Sequence, residues 1–401
     1  MIPVSNATKQ AWASETSEKK MSILIVGEGV IHADSVKADT FKYTESIMSS
    51  DSFEAVGCIA KKFEFTTDGY NRPVLKNKRI YATIQANNTD EINLFAGLVD
   101  SGIKESRKGL KKITAYDEFY RLSNVDVTDW YNALGVTTIL GALQSFALYQ
   151  HFGLANDLEL INGDKPCFGG TIRQVKKLSG LDFLKQICQI NGCYGYFNGI
   201  GQFSVKYLTV KTQRILYPSD MLFPSDDIYP SDTDTGGDVV ITAIDAYKEM
   251  KYEDYSIKPI DNVIIRNTSK DYGARFYGGG VNSYIIQGNI FAYDQDYYDL
   301  HAMVVKIFNA LNRVSFRPFQ AEQNAYPWLE CGDCISYYDI DDNGEQITID
   351  TVIMNRELSG AQLMWDKYSA DCEEIQLNTF DLKAQLKDIQ NQIEEQADDN
   401  G

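Results

Sequence analysis

Apolar and polar residues alternate through much of the first hundred positions, the period-two pattern of half-buried strands. After a short helix expected over 5–13, Met21, Ile23 and Ile25 form the first such run. Phe41 with Tyr43, then 58–67, 79–85 and 92–98, follow as short runs divided by Asp, Asn and Gly, which are turn formers. This spacing predicts a small antiparallel β-barrel over 1–112.

The period then changes, because 115–122 and 137–154 carry apolar residues at helical spacing. Ser179 reads as the N-cap of a helix carrying Leu181, Leu184, Ile187 and Cys188, and Asn191-Gly192 as its left-handed stop. Strands at 193–197 and 203–208 flank Asn198-Gly199, a strong hairpin signal. Between 217 and 232 a Tyr/Phe-Pro-Ser-Asp unit recurs at Tyr217, Phe223 and Tyr229, and its prolines predict an ordered surface loop. Strands resume at 239–246, 248–255 and 262–266. A helix over 299–314 follows, with Ala302, Val305, Phe308 and Leu311 or Asn312 along one face. A last hairpin joins 334–338 to 346–355 across Asp341-Asp342-Asn343-Gly344. Beyond Cys372, Leu382, Leu386, Ile389 and Ile393 follow the four-three-four spacing of a coiled-coil seam, with Leu386 and Ile393 at a and Leu382 and Ile389 at d. Mixed Leu and Ile at both positions is compatible with three strands, so these four residues are the expected oligomerisation contacts.

The predicted class is therefore mainly β with an α+β insertion. Two small antiparallel β-barrels, over 1–112 and over 238–265 with 325–372, enclose a mixed domain of 113–237 and 266–324. A short C-terminal helix and acidic tail occupy 373–401.

Charge narrows the function. The chain has 56 acidic and 38 basic residues among 401, a net charge of −18, and such a surface repels nucleic acid, so no specific nucleic-acid binding is expected. Seven scattered cysteines without a secretory segment predict folding in a reducing cytoplasm. Residues 130–156 carry no charge, but Asn132, Thr137, Thr138, Gln144, Ser145, Gln150 and His151 interrupt the run, which predicts a buried helix and no membrane span. The basic run Lys104, Arg107, Lys108, Lys111 and Lys112 reads as a strand edge blunted by lysines.

Candidate chemistry is sparse. Asp339, Asp341, Asn343 and Asp350 match a calcium loop in spacing, yet the twelfth position lacks the bidentate Glu and strands flank it, so a plain hairpin turn is the preferred reading. Cys331 and Cys334 form a CxxC pair with no partner ligands at zinc spacing, which leaves buried reduced thiols. No GxSxG, HExxH or phosphate-binding lysine loop is present, and neither an enzymatic role nor a cofactor is expected.

Several stretches in order resemble the tail hub proteins of phages and prophages of Gram-positive bacteria, the tail-associated or Tal type. They are Ile2-Pro3-Val4-Ser5-Asn6-Ala7-Thr8-Lys9, Thr44-Glu45-Ser46, Ser50-Asp51-Ser52-Phe53-Glu54, Gly57-Cys58-Ile59-Ala60, Thr114-Ala115-Tyr116-Asp117 and Asp129-Trp130-Tyr131. The Tyr-Pro-Ser-Asp repeat, Tyr252-Glu253-Asp254-Tyr255, Ile286-Gln287-Gly288-Asn289 and Leu329-Glu330-Cys331-Gly332-Asp333 continue the series. The segment 135–146 departs from the family by lacking charge. The resemblance implies a trimeric ring with two similar barrels per chain and pseudo-six-fold symmetry around an exit channel. It implies as partners further copies of the chain, the tail tube or distal tail protein, the tape measure protein, and a spike or fibre. It also implies location at the virion tail tip or baseplate after synthesis in the host cytoplasm. A carbohydrate- or receptor-binding module is the alternative, motivated by 25 tyrosines and 19 phenylalanines.

Overall fold

The structure is a computed structural model. It describes residues 1–14, 16–37, 39–47, 56–68, 75–105, 109–208, 239–242, 247–266, 272–293, 295–340, 344, 346–360 and 364–370. The Tyr-Pro-Ser-Asp repeat and the seam residues Leu382, Leu386, Ile389 and Ile393 lie outside these residues, as does most of the acidic hairpin tip.

Helix α1 (Asn6–Ala13) opens the chain, capped by the Ser5 hydroxyl, which accepts from the Thr8 N–H. Seven strands follow: β1 (Lys19–Ile25), β2 (Gly29–His32), β3 (Lys42–Ser46), β4 (Gly57–Thr67), β5 (Arg79–Ala86), β6 (Ile92–Glu105) and β7 (Leu110–Tyr116). Helices α2 (Glu118–Leu122) and α3 (Thr128–Asn132), strand β8 (Thr137–Thr138), helix α4 (Ile139–Gln150) and strands β9 (Gly153–Leu154) and β10 (Pro166–Cys167) come next. Helix α5 (Gly180–Asn191) leads into the hairpin β11 (Tyr194–Phe197) and β12 (Gln202–Lys206). The remaining strands before the last helix are β13 (Val239–Thr242), β14 (Tyr247–Tyr252), β15 (Asn262–Arg266), β16 (Tyr272–Tyr277) and β17 (Ser283–Gln287). Helix α6 (Tyr297–Leu311) precedes β18 (Phe319–Asn324), β19 (Cys334–Ile340), β20 (Gln346–Val352), β21 (Asn355–Ser359) and β22 (Trp365–Ala370).

The fold is mainly β, organised on one 14-stranded sheet whose main path runs β14-β18-β22-β21-β3-β4-β7-β6-β5-β1-β2. Every neighbour on that path is antiparallel. No closed barrel ladder forms among the described residues. The sheet curls instead: the chain after β2 returns to the end of β4 through a single bridge between Val36 and Thr67, and the Lys37 N–H reaches the Thr66 carbonyl at 2.8 Å. Phe41, Tyr43, Phe63, Phe65 and Phe95 fill the inside of the curl, and Phe63 stacks on Phe95 with ring centres 5.2 Å apart. The join between early and late strands is the β3–β21 ladder, from Ser46 opposite Asn355 to Lys42 opposite Ser359.

Several expectations need correction. Residues 115–122 are not one helix, because β7 continues to Tyr116 and α2 starts only after Asp117 caps it. Strand β15, expected with the second barrel, pairs with β16 and β17 in a separate three-stranded sheet under α6, whereas β18, expected in the insertion, lies in the main sheet. Helix α6 buries Leu300, Met303, Val304, Ile307 and Leu311, so of the predicted face only Leu311 is right. Of the basic run, Lys111 and Lys112 are not at a sheet edge, since β7 pairs there with β4 as well as β6, whereas the β5 ladder ends at Leu98 and leaves the part of β6 with Lys104 paired to β7 alone; Arg107 and Lys108 lie outside the described residues. Helix α4 is amphipathic and not buried all round, because Leu148 is 78% and Tyr149 49% exposed. No helix among the described residues is long and apolar enough to cross a membrane.

Candidate functional site: a buried ion-pair network at the sheet junction

Alternation places one charged residue in an inward slot of each central strand: Glu45 beside Tyr43 on β3, Lys61 between Ile59 and Phe63 on β4, Arg356 beside Leu358 on β21, and Asp366 beside Tyr368 on β22. The loop before β19 adds Glu330 and Asp333, and the end of β12 adds Lys206. All but Lys206 are in the buried class, and its side chain is only 13% exposed. Leaving such charges unpaired in an apolar interior would cost several kcal/mol each, so their partners decide what the site does.

The partners are complete. Lys61 Nζ lies 3.2 Å from Glu45 Oε1 and 3.4 Å from Glu330 Oε1. Lys206 Nζ donates to Asp333 Oδ1 at 2.8 Å and to the Cys331 carbonyl at 3.1 Å, with Glu330 Oε2 at 3.5 Å. The Met1 ammonium contacts Asp333 Oδ1 at 2.6 Å. Arg356 holds Asp366 in a two-pronged pair, Nε to Oδ1 at 3.0 Å and Nη2 to Oδ2 at 3.1 Å, and also donates to the Leu329 carbonyl. The Tyr43 hydroxyl donates to Glu45, and the Cys331 N–H reaches Glu45 Oε2 at 2.8 Å. The Tyr196 ring faces both Lys61 and Lys206, at 5.5 and 5.4 Å, so the hairpin β11–β12 closes the cluster.

The energetics follow from this pairing. Burial opposes the charge on Glu330, yet Lys206, Lys61 and the terminal ammonium outweigh it and hold its carboxyl well below the usual range. Burial likewise opposes charge on Glu45, and Lys61 and Arg356 again win. Lys61 and Lys206 are pushed up by the carboxylates facing them, against their own desolvation. Asp117 differs, for burial pushes it up to about 7, and the Lys61 and Phe119 N–H groups it accepts from offset that only partly.

Four carboxylates thus neutralise three side-chain cations and the terminal ammonium. The network joins β3 and β4 to β21, β22, the loop before β19, and β12. Its chemistry is cohesive, with every charge spent on another residue of the chain. Thr44, Ser46, Lys251, Gln320, Glu322, Asn355, Glu357, Lys367 and Ser369 line an open groove along β3, β21, β22, β18 and β14.

The sites expected from sequence fall elsewhere. Cys331 and Cys334 are buried cysteines, and Cys331 Sγ lies 3.3 Å from the Met354 carbonyl. The acidic hairpin joins β19 to β20, and no cluster able to hold a metal exists among the described residues. Leu382, Leu386, Ile389 and Ile393 lie outside the described residues. Sequence reasoning missed the network except for Glu45, Glu330 and Asp333, which belong to the stretches quoted for the resemblance. The available signal was a charge standing where the alternation demands an apolar residue.

No protein-family model matches the chain, and no curated protein matches it in sequence. Among solved structures, it is similar to the 43 kDa tail protein of prophage MuSo2 from Shewanella oneidensis, with a TM-score of 0.51 at 10% identity, over 87% of this chain and 97% of that one. A tail protein from Neisseria meningitidis aligns with a TM-score of 0.49 at 11% identity, over 89% of this chain and 98% of that one. A prophage tail protein from Listeria monocytogenes aligns with a TM-score of 0.45 at 11% identity, over 92% and 99%. The first of these establishes a shared fold along nearly the whole chain.

Proposed function

We propose that the chain is a structural subunit of a phage or phage-like tail tip or baseplate, a hub that joins the tail tube to a spike or fibre and surrounds the exit channel. It works as a homotrimer and not as an enzyme. The observation that carries this reading is the β3–β21 ladder with the ion-pair network locked beneath it. Three chains match a six-fold tube only if each offers two near-equivalent surfaces in fixed relation. Here β1–β7 would supply one barrel-like surface, and β14, β18, β21 and β22 with β13, β19 and β20 the other. The fold shared with a prophage tail protein supports the same assignment. Partners would be the distal tail or tube protein on one side and the spike or fibre on the other. The seam residues Leu382, Leu386, Ile389 and Ile393 would bundle on the three-fold axis.

Deleting the gene should yield particles without tips in electron micrographs, and complementation should restore them; normal tips without this chain would refute the assignment. The rival reading, a carbohydrate- or receptor-binding module, has one observation in its favour. Tyr297 and Tyr298 are 61% and 83% exposed at the start of α6, and exposed rings can stack on sugars. Binding on a glycan array that Tyr298→Ala abolishes would favour it.

A further inference from the structure

We propose that Cys58 and Cys188 are a latent disulfide, open in a reducing cell and closed once the protein meets an oxidising medium, where it ties the main sheet to α5. In the parallel β11–β4 ladder Cys58 stands opposite Gly195, so its side chain projects on the face where Gly195 has none. A Cβ built on Gly195 would lie 2.9 Å from Cys188 Sγ. The glycine therefore leaves the space that the Cys188 sulfur fills, next to Cys58, and α5 packs on β4. Cys188 has two thiol neighbours, Cys58 and Cys193. Cys193 is the competing partner for Cys188, and its thiol also reaches the Cys188 carbonyl at 3.8 Å.

Access sets the order of events. Cys58 is half-buried as a residue while Cys188 and Cys193 are buried, so Cys58 is the least protected of the three, although its thiol faces inward. With a low-molecular-weight disulfide as oxidant, Cys58 loses its proton to solvent and attacks one sulfur, forming a mixed disulfide and releasing one thiol. Cys188 then gives up its proton and displaces the second thiol, forming the Cys58–Cys188 bond. The protein loses two hydrogens and two electrons, and the oxidant is reduced to two thiols. The hydrogen bond from Cys188 and then burial push the Cys58 thiol well up, which makes the reaction slow. That speed suits a lock closed once on release, not a reversible sensor. The pairing argument is independent of the tail assignment, which supplies only the passage from cytoplasm to medium.

The test is to incubate the purified full chain with oxidised glutathione and map unreduced peptides by mass spectrometry. The expected result is a Cys58–Cys188 cross-linked peptide, with Tm raised by a few degrees and restored by dithiothreitol. Cys58→Ser should abolish both bridge and shift, and Cys193→Ser should leave both. A Cys188–Cys193 bridge, a glutathione adduct that stops at Cys58, or a native chain that keeps both thiols while the unfolded chain loses them would each overturn the proposal. Should Cys188→Ser not fold, Cys58→Ser at the half-buried position still decides.

Discussion

Lys61 is the residue on which the network turns, because it separates two carboxylates that would otherwise face each other in the interior. Lys61→Met keeps much of the side-chain length but removes the charge, leaving Glu45 and Glu330 without it, and should lower the unfolding free energy by about 3–5 kcal/mol in denaturant titrations. Asp117 makes a prediction in pH. Its carboxyl is raised from the ordinary value to about 7 by burial, so the native state binds that proton more tightly than the unfolded chain does. Its contribution is therefore fully present below about pH 4 and is lost as pH rises through about 7. Asp117→Asn should flatten this fall when Tm is followed across that window. Glu45 and Glu330 have the opposite sign, since both are held low; their contribution is present above about pH 4.5 and lost on further acidification. At this scale the sequence was half legible. Tyr43 and Phe63 could be placed inward by alternation, but Glu45 and Lys61 in the same slots name no partner until strands far apart in sequence meet, and the strand that carries Arg356 and Leu358 was not foreseen.

Helix α5 was the most readable element. Ser179 accepts from the Asp182 N–H, Gly192 adopts φ +63° at the other end, and Leu184, Ile187 and Cys188 are buried. Ser179→Ala should cost about 1 kcal/mol in thermal or denaturant unfolding, with the fold unchanged. Helix α6 was found but turned the wrong way. Ala302, Val305 and Phe308 are half-buried beside the fully buried Leu300, Met303, Val304 and Ile307, so apolar residues surround most of the helix and period alone selects no face. What selects it is the sheet of β15 and β16 together with α5, packed against α6. Helix α4 shows the converse, for its lack of charge suggested burial, yet Leu148 and Tyr149 reach solvent, and Tyr149 stacks on Trp130 with ring centres 5.7 Å apart. Strands β16 and β17 were not foreseen, and the glycines Gly278, Gly279 and Gly280 between them carry no apolar alternation.

Over the whole molecule, the class was legible and the connectivity was not. Short alternating runs suffice to predict a mainly β chain, whereas the β3–β21 ladder joins residues about three hundred positions apart, and no local pattern encodes such a pairing. The same ladder joins the early and late strands in one sheet, and a ring built from three such chains is the proposal that follows. Mass measurement in solution at micromolar concentration, with the full chain and with a chain ending at Cys372, tests it most directly. The expected result is a trimer for the full chain; a trimer that persists after truncation would assign the ring to the sheet surfaces, and one that dissociates would assign it to Leu382, Leu386, Ile389 and Ile393. A full-length chain that stays monomeric under these conditions would contradict the hub assignment.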